Sequence, residues 1–146
     1  MDIKINWNGG MLFEGAGDSG FVQKMDGENN AARPMEFIAL GLAGCTGMDV
    51  ISILQKKKQP VKNFQVMIHA DRAEEHPKVF SRAVIEYLVT GKDVEESALL
   101  RAIELSAEKY CPAQAMLSKA FPMQLVYKIF DDDGEAVLKE GVYIQK

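Results

Sequence analysis

The segment PMEFIALGLAGCTGMDVISILQKKKQP, residues 34–60, decides how the rest of the chain is read. Pro34 fits the first turn of a helix, where a missing N–H is not needed. Glu36 suits the positive end of the helix dipole. Lys56, Lys57 and Lys58 suit the negative end, and Pro60 stops the run. Between them Phe37, Ile38, Leu40, Leu42, Val50, Ile51, Ile53 and Leu54 surround most of the circumference, the pattern of a buried helix. Yet Gly41, Gly44 and Gly47 sit around Cys45 in the middle. Each glycine inside a helix costs about 1 kcal/mol relative to alanine. Residues 41, 44, 45 and 48 share one helical face, and small residues there would let another backbone come close to the Cys45 thiol.

Working outward, DIKINW at 2–7 alternates with strand period, placing Ile3, Ile5 and Trp7 on one face. NGG at 8–10 is a turn, and Met11 to Glu14 and Phe21 to Met25 read as two further strands of a meander. The polar stretch DGENNAAR at 26–33 reads as a mobile loop. Beyond Pro60, FQVMIHA at 64–70 and FSRAVIEYLVTG at 80–91 read as strands. The segment 93–110 reads as a helix with Asp93 as N-cap and Glu96 three residues on, a capping-box spacing. A short helix over 112–119 follows, then a strand at 123–130, a turn at DDDG, and a last strand or edge in AVLKEGVYI. The order of strands, helix, strands, helix, strand defines a single α+β domain over 1–146.

Composition narrows the function classes. The chain has 146 residues and a formal net charge of -4, and its one lysine run is too short for a nucleic-acid footprint. By the count of uninterrupted apolar residues, no stretch reaches the roughly 20 of a membrane span. The N-terminus lacks the apolar core of a signal peptide, so a cytoplasmic protein is expected. With two cysteines, two histidines and no CxxC or HxxxH spacing, neither a metal site nor a cofactor is called for.

The two cysteines carry the chemistry. Free cysteine is among the most buried residue types, so Cys45 reads equally as a small core residue. Cys111 precedes Pro112, which pushes it out of the helical region and makes it the N-cap of a new helix. A thiol there is expected to have a lowered pKa. Asp49 lies one turn beyond Cys45 and either faces it or is held by other hydrogen bonds. His69 sits in a strand pattern and His76 in a polar loop, and neither is placed as a base for the thiols.

ARPMEFIALGLAGCTGMDVISILQKKKQ, followed some way on by EKYCPAQAML, resembles the OsmC/Ohr family, in particular its YhfA-like branch. The resemblance covers nearly the whole chain and implies an OsmC-like α+β fold. Long central helices would be wrapped by antiparallel sheets in an intertwined homodimer, with active sites at the interface. It implies a thiol-dependent peroxidase for organic hydroperoxides. Cys45 would attack the peroxide, Cys111 would close a disulfide, and a small or lipoyl dithiol would restore the pair. In peroxidase members an arginine, held by a glutamate directly after the proline, activates the first cysteine. Here Met35 follows Pro34, the carboxylate comes at Glu36, and no arginine precedes Arg33. Arg33 and Glu36 are therefore the candidates for the activating pair. The alternative is a non-catalytic protein that binds a small ligand or senses redox state. On the thiol reading, Gly41 and Gly44 make room for the segment that bears Cys111.

Overall fold

The computed structural model describes residues 1–144. The chain divides into two compact units, Met1–Leu40 and Gly41–Lys146. The first unit holds an antiparallel sheet of β1 (Lys4–Trp7), β2 (Leu12–Ala16) and β3 (Gln23–Asp26), in the order β1-β2-β3. This is the expected meander. The following loop is not the free segment expected from its polarity. Asp26, buried at the end of β3, accepts the Glu28 N–H at 2.8 Å and the Asn30 side-chain amide at 2.7 Å. These bonds hold the Asp26 carboxyl below its ordinary pKa, with the Glu28 N–H the largest cause. They also organise the turn that leads to the helix α1 (Pro34–Lys56).

The second unit carries a four-stranded sheet of β4 (Asn63–Arg72), β5 (Phe80–Thr90), β6 (Met123–Phe130) and β7 (Val137–Tyr143). β4 with β5 and β6 with β7 pair antiparallel, but β5 and β6 are parallel. The expectation of antiparallel sheets therefore fails at this pair. Parallel neighbours need a long crossover, and the helical segment between Thr90 and Met123 supplies it. Strand alternation sends Ala83, Ile85, Tyr87 and Val89 of β5 inward, beside Leu125, Tyr127 and Ile129 of β6.

Two helical stripes cover that sheet face. From α1 come Leu42, Val50 and Leu54, and from α2 (Glu96–Leu105) come Ala98, Leu99, Ala102 and Ile103. By length and composition α1 is long and apolar enough to cross a membrane, which corrects the count of apolar runs; Leu42, Val50 and Leu54 on it join the core. It is not buried all round, however. Ile38, Leu40 and Met48 are exposed.

The second helix is shorter and differently capped than expected. Asp93 takes a left-handed conformation (φ 62°) in the turn before α2, so it cannot act as the N-cap. Glu95 caps without a side-chain bond, and its N–H donates to Gln59 Oε1 at 2.8 Å. Glu96 instead accepts the Tyr127 hydroxyl at 2.7 Å. After Leu105 the chain widens into a π turn, Ser106–Tyr110, then re-enters a short helix α3 (Pro112–Leu117).

Gly91, just after β5, is a tight point of the second unit. A Cβ there would stand 2.1 Å from the Pro60 carbonyl oxygen, which is backbone and cannot swing away. Gly91→Ala is expected to lower stability by about 2 kcal/mol or more, the scale of overpacking, read as a drop in the urea midpoint.

Candidate functional site

The second unit brings Cys45 and Cys111 together. Cys45 is half-buried on α1, and Cys111 is buried at the start of α3. The Cys45 thiol lies close enough to act on the titration of Cys111 through both a hydrogen bond and charge. Local sequence placed Cys111 correctly: it is extended (φ -78°, ψ 103°), Pro112 opens α3, and Cys111 Sγ accepts the Gln114 N–H at 3.4 Å.

Its expected acidity is overturned. Burial is the largest cause acting on the thiol and pushes it up to about 12, with the neighbouring Cys45 adding to the rise. The Gln114 N–H works in the opposite direction but does not prevail. A six-residue helix offers a weak dipole, whereas removing an anion from water is costly. Cys111 is thus a protonated thiol at neutral pH.

Next to the pair lies a polar cluster. Thr46 Oγ1 meets Tyr87 OH at 2.6 Å and Ser106 Oγ at 2.9 Å. Gln114 Nε2 donates to Thr46 Oγ1 at 2.8 Å and to Tyr87 OH at 3.3 Å. Ser106 Oγ donates to Asp49 Oδ2 at 3.0 Å. Of the alternatives for Asp49, the hydrogen-bonded carboxylate is the one observed. Tyr87 is also pushed up to about 12, first by burial. None of Thr46, Tyr87, Ser106 and Gln114 stood out in the sequence. A signal was present in two of them: Thr46 falls in the i, i+4 stripe with Leu42, Val50 and Leu54, and Ser106 extends the stripe of Leu99 and Ile103.

The glycines act differently from expectation. A Cβ at Gly41 or Gly44 would meet nothing within 4 Å, so neither makes room for the segment of Cys111. Gly47 is the glycine that packs, with Val66 Cγ2 at 3.3 Å from its would-be Cβ.

Arg33 and Glu36 belong to the first unit and do not form the expected side-chain pair with each other. Glu36 Oε2 accepts the Arg33 backbone N–H at 2.6 Å, a bond that caps the helix start. The Arg33 guanidinium is taken by Asn29 Oδ1, with Nε at 3.0 Å. His69 pairs with Glu86 at 3.3 Å on the sheet. Among the described residues no group of three His, Cys, Asp or Glu side chains could hold a metal ion.

The chain belongs to the OsmC-like family: the family model described as OsmC-like protein matches residues 27–126. It is 38% identical over 131 residues to Protein YhfA of Escherichia coli (strain K12), covering 88% of this chain and 98% of YhfA. A hypothetical protein from Aquifex aeolicus VF5 superposes with a TM-score of 0.81 at 28% identity, over 89% of this chain and 96% of that one. The organic hydroperoxide resistance protein OhrB of Bacillus subtilis shares the fold at a TM-score of 0.58 and 16% identity, over 88% and 98% of the two chains.

The protonated state of Cys111 can be titrated. In Cys45→Ser, ultraviolet thiolate absorbance should show Cys111 ionising above the ordinary 9.0, because burial, the largest cause, remains. The folded pKa is the higher one, so from pH 9.0 toward about 12 the unfolded chain loses a proton that the native one keeps. The native form is thereby disfavoured, and the urea midpoint of the wild type should fall across that window.

Proposed function

We propose that the protein is a thiol-dependent peroxidase that reduces organic hydroperoxides through Cys45 and Cys111. One observation carries the reading: a half-buried thiol on α1 meets a second, fully buried thiol at the start of α3. The difference in exposure assigns the roles. Cys45, the more open sulfur, attacks the distal peroxide oxygen as a thiolate. The O–O bond breaks, the alcohol leaves after taking a proton, and Cys45 becomes a sulfenic acid. Cys111 attacks that sulfur as it gives up its proton, and water leaves as the disulfide forms. A dithiol reductant, a lipoyl group among them, then takes the oxidising equivalents and returns two thiols. Family membership supports the reading, and so does the apolar surround of α1, which suits an alkyl peroxide. A cytoplasmic location, where such reductants are found, goes with it.

A second reading is a non-catalytic protein that binds a small ligand or senses redox state. Two observations favour it. Arg33 and Glu36 are spent on Asn29 and on a backbone N–H and do not pair with each other. The first unit also holds an apolar cleft of about 440 Å³, lined by Ile3, Ile5, Phe21, Met25 and Phe37.

The functional unit in our reading is a homodimer. Leu40 and Met48 of α1 are 60% and 73% exposed, and open space surrounds Gly41 and Gly44. A stable partner interface of this kind buries about 2,000 Å² or more. Sedimentation should give a dimer at micromolar concentration, and Met48→Glu should shift it toward monomer. A wild-type monomer refutes the assembly.

Stopped-flow mixing with cumene hydroperoxide and with hydrogen peroxide, followed by thiol counting, separates the two functions. Wild type should prefer the organic peroxide and lose both thiols. Cys45→Ser should lose consumption altogether. Cys111→Ser should stop after one equivalent, with a sulfenic acid on Cys45 that dimedone traps. Equal slow consumption by wild type and Cys45→Ser would replace the peroxidase with the binding or sensing protein.

A further inference from the structure

The polar cluster next to the cysteines has one consistent arrangement of protons. Asp49, as a carboxylate, accepts only, so the single hydroxyl proton of Ser106 goes to it. Ser106 must then accept from Thr46, and Thr46, its own proton spent, must accept from Tyr87. The Gln114 amide nitrogen donates to both Thr46 and Tyr87, so each contact of the cluster has a proton. The reverse amide orientation fails. Thr46 and Tyr87 would both donate to the amide oxygen, leaving no proton between hydroxyls 2.6 Å apart. The array therefore runs one way, from the Gln114 amide to the Asp49 carboxylate.

Its geometry links the two cysteine-bearing segments. Thr46 follows Cys45 on α1. Gln114 lies in the first turn of α3, and its backbone N–H points at Cys111 Sγ. Ser106 closes the other side of the same segment, since its carbonyl accepts the Cys111 N–H at 2.9 Å across the π turn. Cys111 is thus held at its own N–H by Ser106 and at its sulfur by Gln114, and both of those residues are tied to Thr46.

We propose that Gln114 is the positioning residue of the cysteine pair: anchored through its side chain to Thr46 and Tyr87, it sets the first turn of α3 so that Cys111 Sγ is presented to Cys45. This rests on the reading that the two thiols interconvert with a disulfide. The array acts on proximity. It raises the effective concentration of one sulfur at the other and so favours ring closure over mixed disulfides.

The test is a thiol–disulfide equilibrium in glutathione buffers, which needs no hydroperoxide. Two protein thiols and one oxidised glutathione give the internal disulfide and two reduced glutathiones. Gln114→Met and Thr46→Val remove the anchor at similar volume. Each should weaken the internal disulfide about tenfold, equivalent to about 30 mV for this two-electron couple. Thr46→Ser, which keeps the hydroxyl, should restore the wild-type value. Tyr87→Phe leaves the Gln114–Thr46 bond and should change the constant less than either, which keeps the test open if Thr46→Val fails to fold. Anchor variants that lose thermal stability but keep the wild-type constant overturn the positioning role and leave the peroxidase reading standing. A wild type that forms no internal disulfide overturns both.

Discussion

Thr46 Oγ1 is the atom at which α1, β5, the π turn and α3 meet. A hydroxyl with no exposure to water has to find its partners inside the protein, and each partner here comes from a different part of the chain. Tyr87 can reach it because strand alternation turns that ring inward between Ile85 and Val89. Ser106 can reach it because the stripe of α2 continues into the π turn. Gln114 can reach it because Pro112 restarts a helix directly after Cys111. A buried polar group of this kind is unforgiving of misplacement, since leaving one member unpaired costs about 1–3 kcal/mol. The apolar core holds the sheet and helices together, but the hydroxyl fixes their mutual register to within the tolerance of a hydrogen bond.

The same burial gives the two sulfurs unlike characters. Cys111 is surrounded by protein and stays protonated, whereas Cys45 keeps partial access to solvent. The short helix behind Cys111 lends one N–H to the sulfur, and that is too little to hold an anion against desolvation. Position at a helix start and depth below the surface thus pull in opposite directions, and depth prevails.

Most of the element plan was legible from local pattern. The period-2 alternation of 64–70 and 80–91, the proline that opens α1 and the proline that opens α3 all depend on neighbours in sequence, and all correspond to observed elements. Cys111 as an N-cap was legible for the same reason. Its acidity was not, because burial is decided by what the rest of the chain stacks on top of it. Asp93 had the spacing of a capping box but was diverted into a left-handed turn. Thr46 and Ser106 were legible only as polar residues on apolar stripes, an anomaly that signals a network without naming its members. The room expected at Gly41 and Gly44 is not used by the Cys111 segment, and Gly47, to which the sequence assigned no role, is the one that packs, since which face of α1 is covered depends on a sheet built from residues far along the chain.

The parallel pairing of β5 with β6 has a consequence for the order in which the chain folds. The β4–β5 hairpin closes a short loop and can form early, but β6 can join β5 only after the whole crossover between Thr90 and Met123 has been gathered in. Long closures of this sort carry an entropic cost before any contact offsets it, and they slow folding. Ser106, Cys111 and Gln114 all lie within that crossover. The second thiol and its hydroxyl support therefore lie in the segment that the sheet's longest closure has to gather in. Two cysteines 66 positions apart in the chain become neighbours through a closure of this length.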